Sequence, residues 1–593
     1  MKEENLPRAE YPRPQFMRDD WMNLNGIWDF EFDDLDEGLK KHWESDCSKF
    51  SKEINVPFAY QTKLSGLSET IAHDIVWYKR YFSIPEEWKN RQLLLHFGAV
   101  DYKCMVWING KLAGTHEGGH SSFEMNITDC LSEDNYIVVR AEDYMKDVSL
   151  PRGKQYWETK SKSIFYTGTT GIWQSVWIEP VNEIHLEQVT FTPDIDHNLI
   201  HIGLKTSGKL QEKSIRIQAD VSFTGSDAVR EYEQIPITSD TYQLSDNWEY
   251  RSIGLHNFHH EGYEFWWTPE RPNLYDIVFT LLDGEKVLDK VKCYFGMRKI
   301  SVQNGVLCLN NRPYKQRLVL DQGYFPQGGL TAPTDEDLKK DIILAKKMGF
   351  NGARKHQKVE DPRWLYWCDK LGYLVWGEMA DAYVYTPEYA MRMMKEWMEV
   401  IKRDYSHPCI VAWVPLNESW GIPNVKVDEC QQSHAKAMYY ITKSLDNTRP
   451  VMSNDGWEHV HSDICTIHDY EPKEQVLRQR YASVTDALKF KSAGRELYVG
   501  DASYKGEPIM VTEFGGIAFQ ANEEGWGYSS ASSQEDYIER LKAVFRPLHE
   551  SEILSGFCYT QLTDVEQEEN GLLTYDRKEK IPLEIINEIV RGI

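Results

Sequence analysis

Apolar and polar residues alternate through the first third of the chain, in short runs at 28–32, 76–82, 93–97, 104–108 and 137–141. A period of two places every second side chain on one face, as half-buried strands require. Between two of these runs stands Asn109-Gly110, a pair suited to the positive φ needed at both centres of a type I′ hairpin turn. Many short strands with no helical stretch predict a jelly roll for residues 1–183. A fresh set of alternating runs follows at 184–191, 199–205, 215–222, 275–282 and 287–295. About seven short strands in ~110 residues predict an immunoglobulin-like β-sandwich over 184–296.

Past Gly296 the period changes. Thr334 caps an expected helix running to Met348, with Leu338, Ile342 and Ala345 on one face and Gly349 beyond its end. Asp361-Pro362 opens a second helix, which Gly372 ends, and Thr386-Pro387 opens a third. The third is expected to turn Met391, Met394, Met398 and Ile401 inward. Between the helices lie near-continuous apolar runs at 314–319, 351–354, 374–377, 410–415, 451–453, 464–467, 509–512 and 556–561. Strands buried on both faces of a parallel sheet have this composition. Strand–helix alternation over residues 297–593 predicts a C-terminal (β/α)8 TIM barrel, whose site belongs at the strand C-termini.

Composition narrows the partners. The chain of 593 residues carries 92 acidic and 67 basic side chains, a formal charge of −25. That field disfavours nucleic acid and anionic membranes. No run of ~18 apolar residues predicts a membrane span. The first residues lack the apolar core of a signal peptide, so a cytoplasmic location is expected, although a processed secreted form would read the same. Ten scattered cysteines without a CxxC pair predict reduced thiols rather than a disulfide framework or zinc site. Homo-oligomerisation stays open. The 20 Trp and 33 Tyr suit sugar stacking, and equally suit strands.

Two carboxylates stand where a barrel does its chemistry: Glu418 in Leu416-Asn417-Glu418-Ser419-Trp420 after strand four, and Glu513 in Thr512-Glu513-Phe514-Gly515 after strand seven. Burying a charge there costs several kcal/mol unless the group is paired or used. Strands four and seven face each other across a barrel, so the two side chains can meet on one bound sugar. Paired acids hydrolyse glycosides by supplying an acid and a nucleophile or base, with no metal and no cofactor. Asp321 after strand one and Gln561 on strand eight are candidates for binding hydroxyls. His459-Val460-His461 is an H-x-H pattern, but it lies by strand five without a binuclear carboxylate set, so a catalytic metal is not expected there.

These motifs resemble glycoside hydrolase family 2, the family of β-galactosidases, β-glucuronidases and β-mannosidases. Leu24-Asn25-Gly26-Ile27-Trp28, Val106-Trp107-Ile108-Asn109-Gly110, Glu117-Gly118-Gly119-His120 and Gly171-Ile172-Trp173 are similar to its N-terminal sugar-binding jelly roll. Asn417-Glu418 resembles its acid/base signature and Thr512-Glu513-Phe514-Gly515 its nucleophile signature. The resemblance implies a retaining exo-β-glycosidase with Glu418 as acid/base and Glu513 as nucleophile. It further implies that Asn417 donates to the sugar 2-OH, that Arg354 keeps Glu513 ionised and that His356 contacts substrate. Tyr470 would hydrogen-bond Glu513. Relatives that cleave glucuronides carry an Asn-x-Lys near the barrel's end, where this chain has Glu568-Glu569-Asn570 ahead of Gly571. Acidic residues there disfavour a uronate, so a neutral sugar is expected: β-galactoside first, β-mannoside or α-L-arabinopyranoside next. A non-catalytic carbohydrate-binding protein on the same fold would be expected to have lost one glutamate, and both are present.

Overall fold

At Asn109-Gly110 the backbone takes φ of 53° and 76° and folds Lys103–Ile108 onto Lys111–Glu117 as an antiparallel hairpin. The same alternation builds the rest of the N-terminal unit. Six strands pair in one antiparallel sheet, among them Gly26–Phe32, Ile75–Phe82 and Asn135–Glu142, and a four-stranded sheet holding Gln92–Phe97 and Val176–Val181 faces it. Inward residues such as Trp28, Tyr78, Leu95, Val106, Val139 and Ile178 form one core between them. This structure, a computed structural model, describes residues 6–210, 214–226, 235–255, 265–519 and 525–593.

The second unit is a sandwich. Leu186–Asp194, Leu199–Thr206 and Trp248–Gly254 form one sheet, and Ile235–Gln243, Ile215–Gly225, Leu274–Asp283 and Lys286–Phe295 the other. Along Ile215–Gly225 the residues Ile215, Ile217, Ala219, Val221 and Phe223 point inward in strict alternation and meet Phe191, Ile202, Phe279 and Phe295.

In the third unit seven strands among the described residues make one parallel sheet. In barrel order they are Gln316–Asp321, Gly352–Lys355, Leu374–Glu378, Ile410–Val414, then Cys465–Asp469, Ile509–Gly515 and Leu554–Thr560, which pairs back onto the first. The fifth position, expected at 451–453, is held only by isolated bridges: Val451 pairs with Trp413 and Met452 with Ser462. The fold is thus an N-terminal jelly roll, an immunoglobulin-like sandwich and a C-terminal TIM barrel.

Helix signals act as predicted at the barrel's rim. Thr334 accepts from Asp337 N at the start of Asp335–Lys347, Asp361 accepts from Arg363 N at Pro362–Leu371, and Thr386 accepts from Tyr389 N at Pro387–Asp404. The methionine stripe on the last of these is corrected. Met391 and Met398 are exposed, at 64% and 40%, although Ile401 is buried. The buried face is Tyr389, Ala390, Met393, Glu396, Trp397, Val400 and Ile401. Its register is disguised in sequence because Glu396 and Asp404 lie on it. Glu396 Oε1 accepts from the backbone N–H of His120, in the jelly roll, at 2.6 Å, and burial pushes its carboxyl up to about 8.

The cysteines with described side chains are free thiols; the side chain of Cys47 lies outside the described set. No helix among the described residues is long and apolar enough to cross a membrane. The corrected helix face gives a direct test. Met391→Lys should shift stability by no more than about 0.5 kcal/mol, whereas Met393→Ala should cost about 2–5 kcal/mol. Chemical unfolding of the two variants reads the difference.

Candidate active site

Parity along the second barrel strand decides which side chains enter the barrel. Arg354 points in and is fully buried, while Lys355 points to the other side, its ammonium 4.2 Å from the Trp364 ring of the next helix. Arg354 gathers three carboxylates and one amide from four other strand ends. Its Nε donates to Glu378 Oε2 at 2.6 Å and lies 3.0 Å from Asp455 Oδ2. One terminal nitrogen donates to Glu513 Oε1 at 2.9 Å and the other to Asn417 Oδ1 at 2.6 Å. A planar guanidinium can serve such a set because its donors point in fixed, divergent directions.

Glu513 ends the seventh strand and is almost fully buried. Its second oxygen, Oε2, accepts from Tyr470 O–H at 2.6 Å and lies 3.4 Å from His468 Nδ1. Burial alone would raise this carboxyl, but His468, Arg354 and Tyr470 outweigh it and hold the group down at about 2. Glu513 is therefore a carboxylate across the working pH range.

Glu418 stands on a strained turn. Its φ is 50° and that of Ser419 is 60°, left-handed conformations that cost non-glycine residues roughly 1–2 kcal/mol each. Three bonds hold them: Glu418 N to Asp455 O at 3.0 Å, Ser419 N to Asn454 Oδ1 at 2.8 Å and Ser419 Oγ to Glu458 Oε2 at 2.6 Å. The turn leaves the Glu418 side chain 20% exposed, with Oε1 2.7 Å from His468 Nδ1. An oxygen of Glu418, an oxygen of Glu513 and a nitrogen of His468 all lie within 4.8 Å of one another.

The other expected residues divide. Asn417 is buried beside Glu418, and with Oδ1 bound by Arg354 its Nδ2 has no partner among the described residues. His356 lies 2.9 Å from Glu378 and 3.0 Å from Arg354. Burial, together with Lys154 and Arg354, holds its imidazole well below the usual range, so it is neutral. Asp321 lies apart from the other candidates. It sits level with Lys355 across the ladder, pairs with that ammonium at 2.8 Å and caps Gly323 N. That places it outside the Arg354 cluster, with one hydrogen bond on each carboxylate oxygen. Gln561 is buried, accepting from Gln322 and donating to Asn570 Oδ1 at 2.8 Å. Its contribution is indirect, since Asn570 then donates to Glu568 at 3.1 Å. Of the H-x-H pair, His459 faces the Thr466 carbonyl and His461 packs on Tyr439.

Several site residues escaped the sequence reading: Glu378, Asp455 and His468 at strand ends, and Lys154 and Tyr166 from the jelly roll. Strand-end position would have flagged the first three. For the last two no local signal exists, since the jelly roll reaches the barrel only in three dimensions. The loop at 152–155 docks by donating Arg152 N and Gly153 N to Asp381 O at 3.1 and 2.9 Å. Gly153 has φ 63°, and a Cβ there would lie 2.1 Å from Gln357 O, so only glycine permits this approach. Tyr166 O–H donates to Glu568 at 2.6 Å.

A jelly roll and a sandwich leading into a barrel with two acids at its mouth define a class of multidomain carbohydrate-active barrel proteins. The chain belongs to glycosyl hydrolase family 2: the family's sugar binding domain matches residues 21–161, its central domain 184–298 and its TIM barrel domain 300–589. A β-galactosidase of Thermoanaerobacter pseudethanolicus is 24% identical over 491 residues, covering 79% of this chain and 61% of that one. A putative β-glucuronidase of Formosa agariphila is 25% identical over 416 residues, covering 68% and 46%. The chain thus spans about half the length of the curated relatives it matches. Among solved structures, the β-glucuronidase of Ruminococcus gnavus with D-glucuronic acid superposes with a TM-score of 0.77 at 20% identity, covering 98% of this chain and all of that one.

The Arg354 hub predicts an asymmetry. Arg354→Met leaves Glu378, Asp455 and Glu513 buried without their cation and should cost about 3–5 kcal/mol of stability. Tyr470→Phe should leave the melting temperature near wild type and lower kcat about 10- to 100-fold, one charge-assisted hydrogen bond. Thermal unfolding and steady-state kinetics on the same preparations check both.

Proposed function

We propose that the protein is a retaining exo-β-glycosidase that releases terminal β-linked sugars, most readily β-galactosides. The observation that carries this reading is the approach of Glu418 and Glu513, with oxygens within 4.8 Å. Retaining enzymes hold their carboxyls ≈ 5–5.5 Å apart, and inverting ones ≈ 6.5–9.5 Å apart to admit a water.

In the first half-reaction Glu513 attacks the anomeric carbon while Glu418 gives its proton to the departing oxygen. A C–O bond to Glu513 forms and the glycosidic C–O bond breaks. In the second half Glu418 takes a proton from water, which attacks the same carbon and releases Glu513. Arg354 and Tyr470 stabilise the Glu513 carboxylate each time it is freed. Asn417 Nδ2 is the donor left for the sugar 2-OH, with its amide orientation fixed by Arg354.

A neutral sugar is supported by the chemistry at the barrel's end. Asn570 stands where the lysine of the Asn-x-Lys pattern would be, and Glu568 where its asparagine would be. Arg577 is bound to Asp341 and the Tyr324 carbonyl, and Lys578 is at the surface with Asp576. A uronate would be desolvated beside buried Glu568. The β-galactosidase relatives support the same sugar.

One observation favours a second reading, a β-hexuronide. Lys154 is only 7% exposed, and its ammonium has no hydrogen bond or ion pair among the described residues and lies 4.9 Å from the Trp420 ring. Its charge acts on Glu568 and His356, so it lies on the Glu418–Glu513 side of the barrel. A uronate would give it an anionic partner.

One measurement tests retention and another separates the two sugars. Proton NMR of the first-formed product should show the β-anomer, and the α-anomer would reject retention. On a panel of p-nitrophenyl glycosides, kcat/KM for the β-galactoside should exceed that for the β-glucuronide by roughly 30- to 1000-fold. A glucuronide preference that collapses in Lys154→Met would establish the second reading. Separately, Glu418→Ala should spare activated aryl glycosides relative to poor leaving groups and regain turnover with azide, because only poor leaving groups need the proton.

A further inference from the structure

In the glycosylation step the negative charge shared by the two catalytic carboxyls changes place. Glu513 begins ionised and ends as a neutral ester, while Glu418 begins protonated and ends ionised. Deglycosylation reverses this. A fixed cation beside only one of them would help one half-reaction and oppose the other.

His468 lies between them. Its Nδ1 is 2.7 Å from Glu418 Oε1 and 3.4 Å from Glu513 Oε2, and its Nε2 is 3.2 Å from Asp455 Oδ2. The ring is fully buried and cannot turn away. Gly456 lies against it, where a Cβ would come within 2.6–2.7 Å of ring atoms, and Trp457 meets it edge-on. Asp455 is itself anchored, by Arg354 at 3.0 Å and by Thr512 Oγ1 at 2.9 Å.

We propose that His468 is the positioning residue shared by both catalytic carboxyls, an imidazolium whose Nδ1–H follows the negative charge from Glu513 to Glu418 and back. This rests on the roles of Glu418 and Glu513 given above and assigns their common counter-ion. Asp455 keeps Nε2 protonated, so Nδ1 carries the second proton whenever either catalytic carboxyl is ionised. No proton need leave the ring during turnover; the hydrogen bond changes partner.

The surroundings agree. Burial opposes a charged ring, but Glu513, Asp455 and Glu418 together raise it to about 10. The other titratable groups facing this space do not supply the charge. Burial holds His356 and His459 below the usual imidazole range, and Tyr470 stays a neutral phenol. Arg354 contacts Glu513 from the opposite oxygen.

The test is the pH dependence of kcat/KM on an activated aryl substrate, for wild type and His468→Gln, with folding checked by thermal melts. Removing a cation beside two carboxyls favours their protonated forms. Both limbs of the bell should therefore move to higher pH, by roughly one to two units for a lost charge-assisted bond, and kcat should fall. Limbs that stay in place while activity falls equally at all pH values would overturn the proposal. Should His468→Gln not fold, nitrogen-15 NMR of the wild-type ring decides: both nitrogens protonated at pH 8 is expected, and a neutral ring at that pH contradicts it. Azide rescue of Glu418→Ala reports on the carboxylate roles independently, so failure of either idea is distinguishable from failure of the other.

Discussion

Everything at the barrel's mouth depends on one buried cation. The guanidinium of Arg354 has no access to solvent, yet it holds Glu378, Asp455, Glu513 and Asn417 in bonding contact. Each carboxylate would be costly alone in that interior, and so would the arginine; together they satisfy one another. The hub fixes the Glu513 carboxylate from one side, and through Asp455 it fixes the ring of His468 on the other. It also orients Asn417, the residue next to Glu418.

From this hub the constraints run outward through backbone. Asp455 accepts no bond from Glu418's side chain, but its carbonyl receives the Glu418 N–H, so the strained turn is tied to the same loop that carries the buried anion. The jelly roll is fastened to the barrel by the loop at 152–155 and by Tyr166 on Glu568, with Gly153 permitting the contact. A domain that in sequence reads as a separate sugar-binding module therefore supplies part of the wall of the barrel's site. Its loop also brings Lys154 there, its ammonium without an ion pair among the described residues.

Much of this is legible in the sequence. Strand ends carry chemistry in a barrel, and an apolar run ending in a carboxylate is visible in one sequence, so Glu418 and Glu513 stood out and the structure brings them together. Asp321 is also at a strand end, yet it lies level with Lys355 rather than Arg354; which of two adjacent residues faces inward depends on register, which the sequence does not carry. The methionine stripe differs from the buried face for a related reason, since that face includes Glu396, one oxygen of which accepts from a backbone donor 276 positions away. His468 went unremarked because a histidine gains its meaning from three carboxylates on three other strand ends.

The central claim is that Glu513 becomes covalently bound to the sugar. Incubating the protein with a 2-deoxy-2-fluoro-β-glycoside bearing a good leaving group should trap that ester, because fluorine slows its hydrolysis more than its formation. Mass spectrometry of a proteolytic digest should then place the label on the peptide containing Thr512-Glu513-Phe514, with fragmentation assigning it to Glu513. A label on Glu418, Glu568 or any other carboxylate would contradict the account.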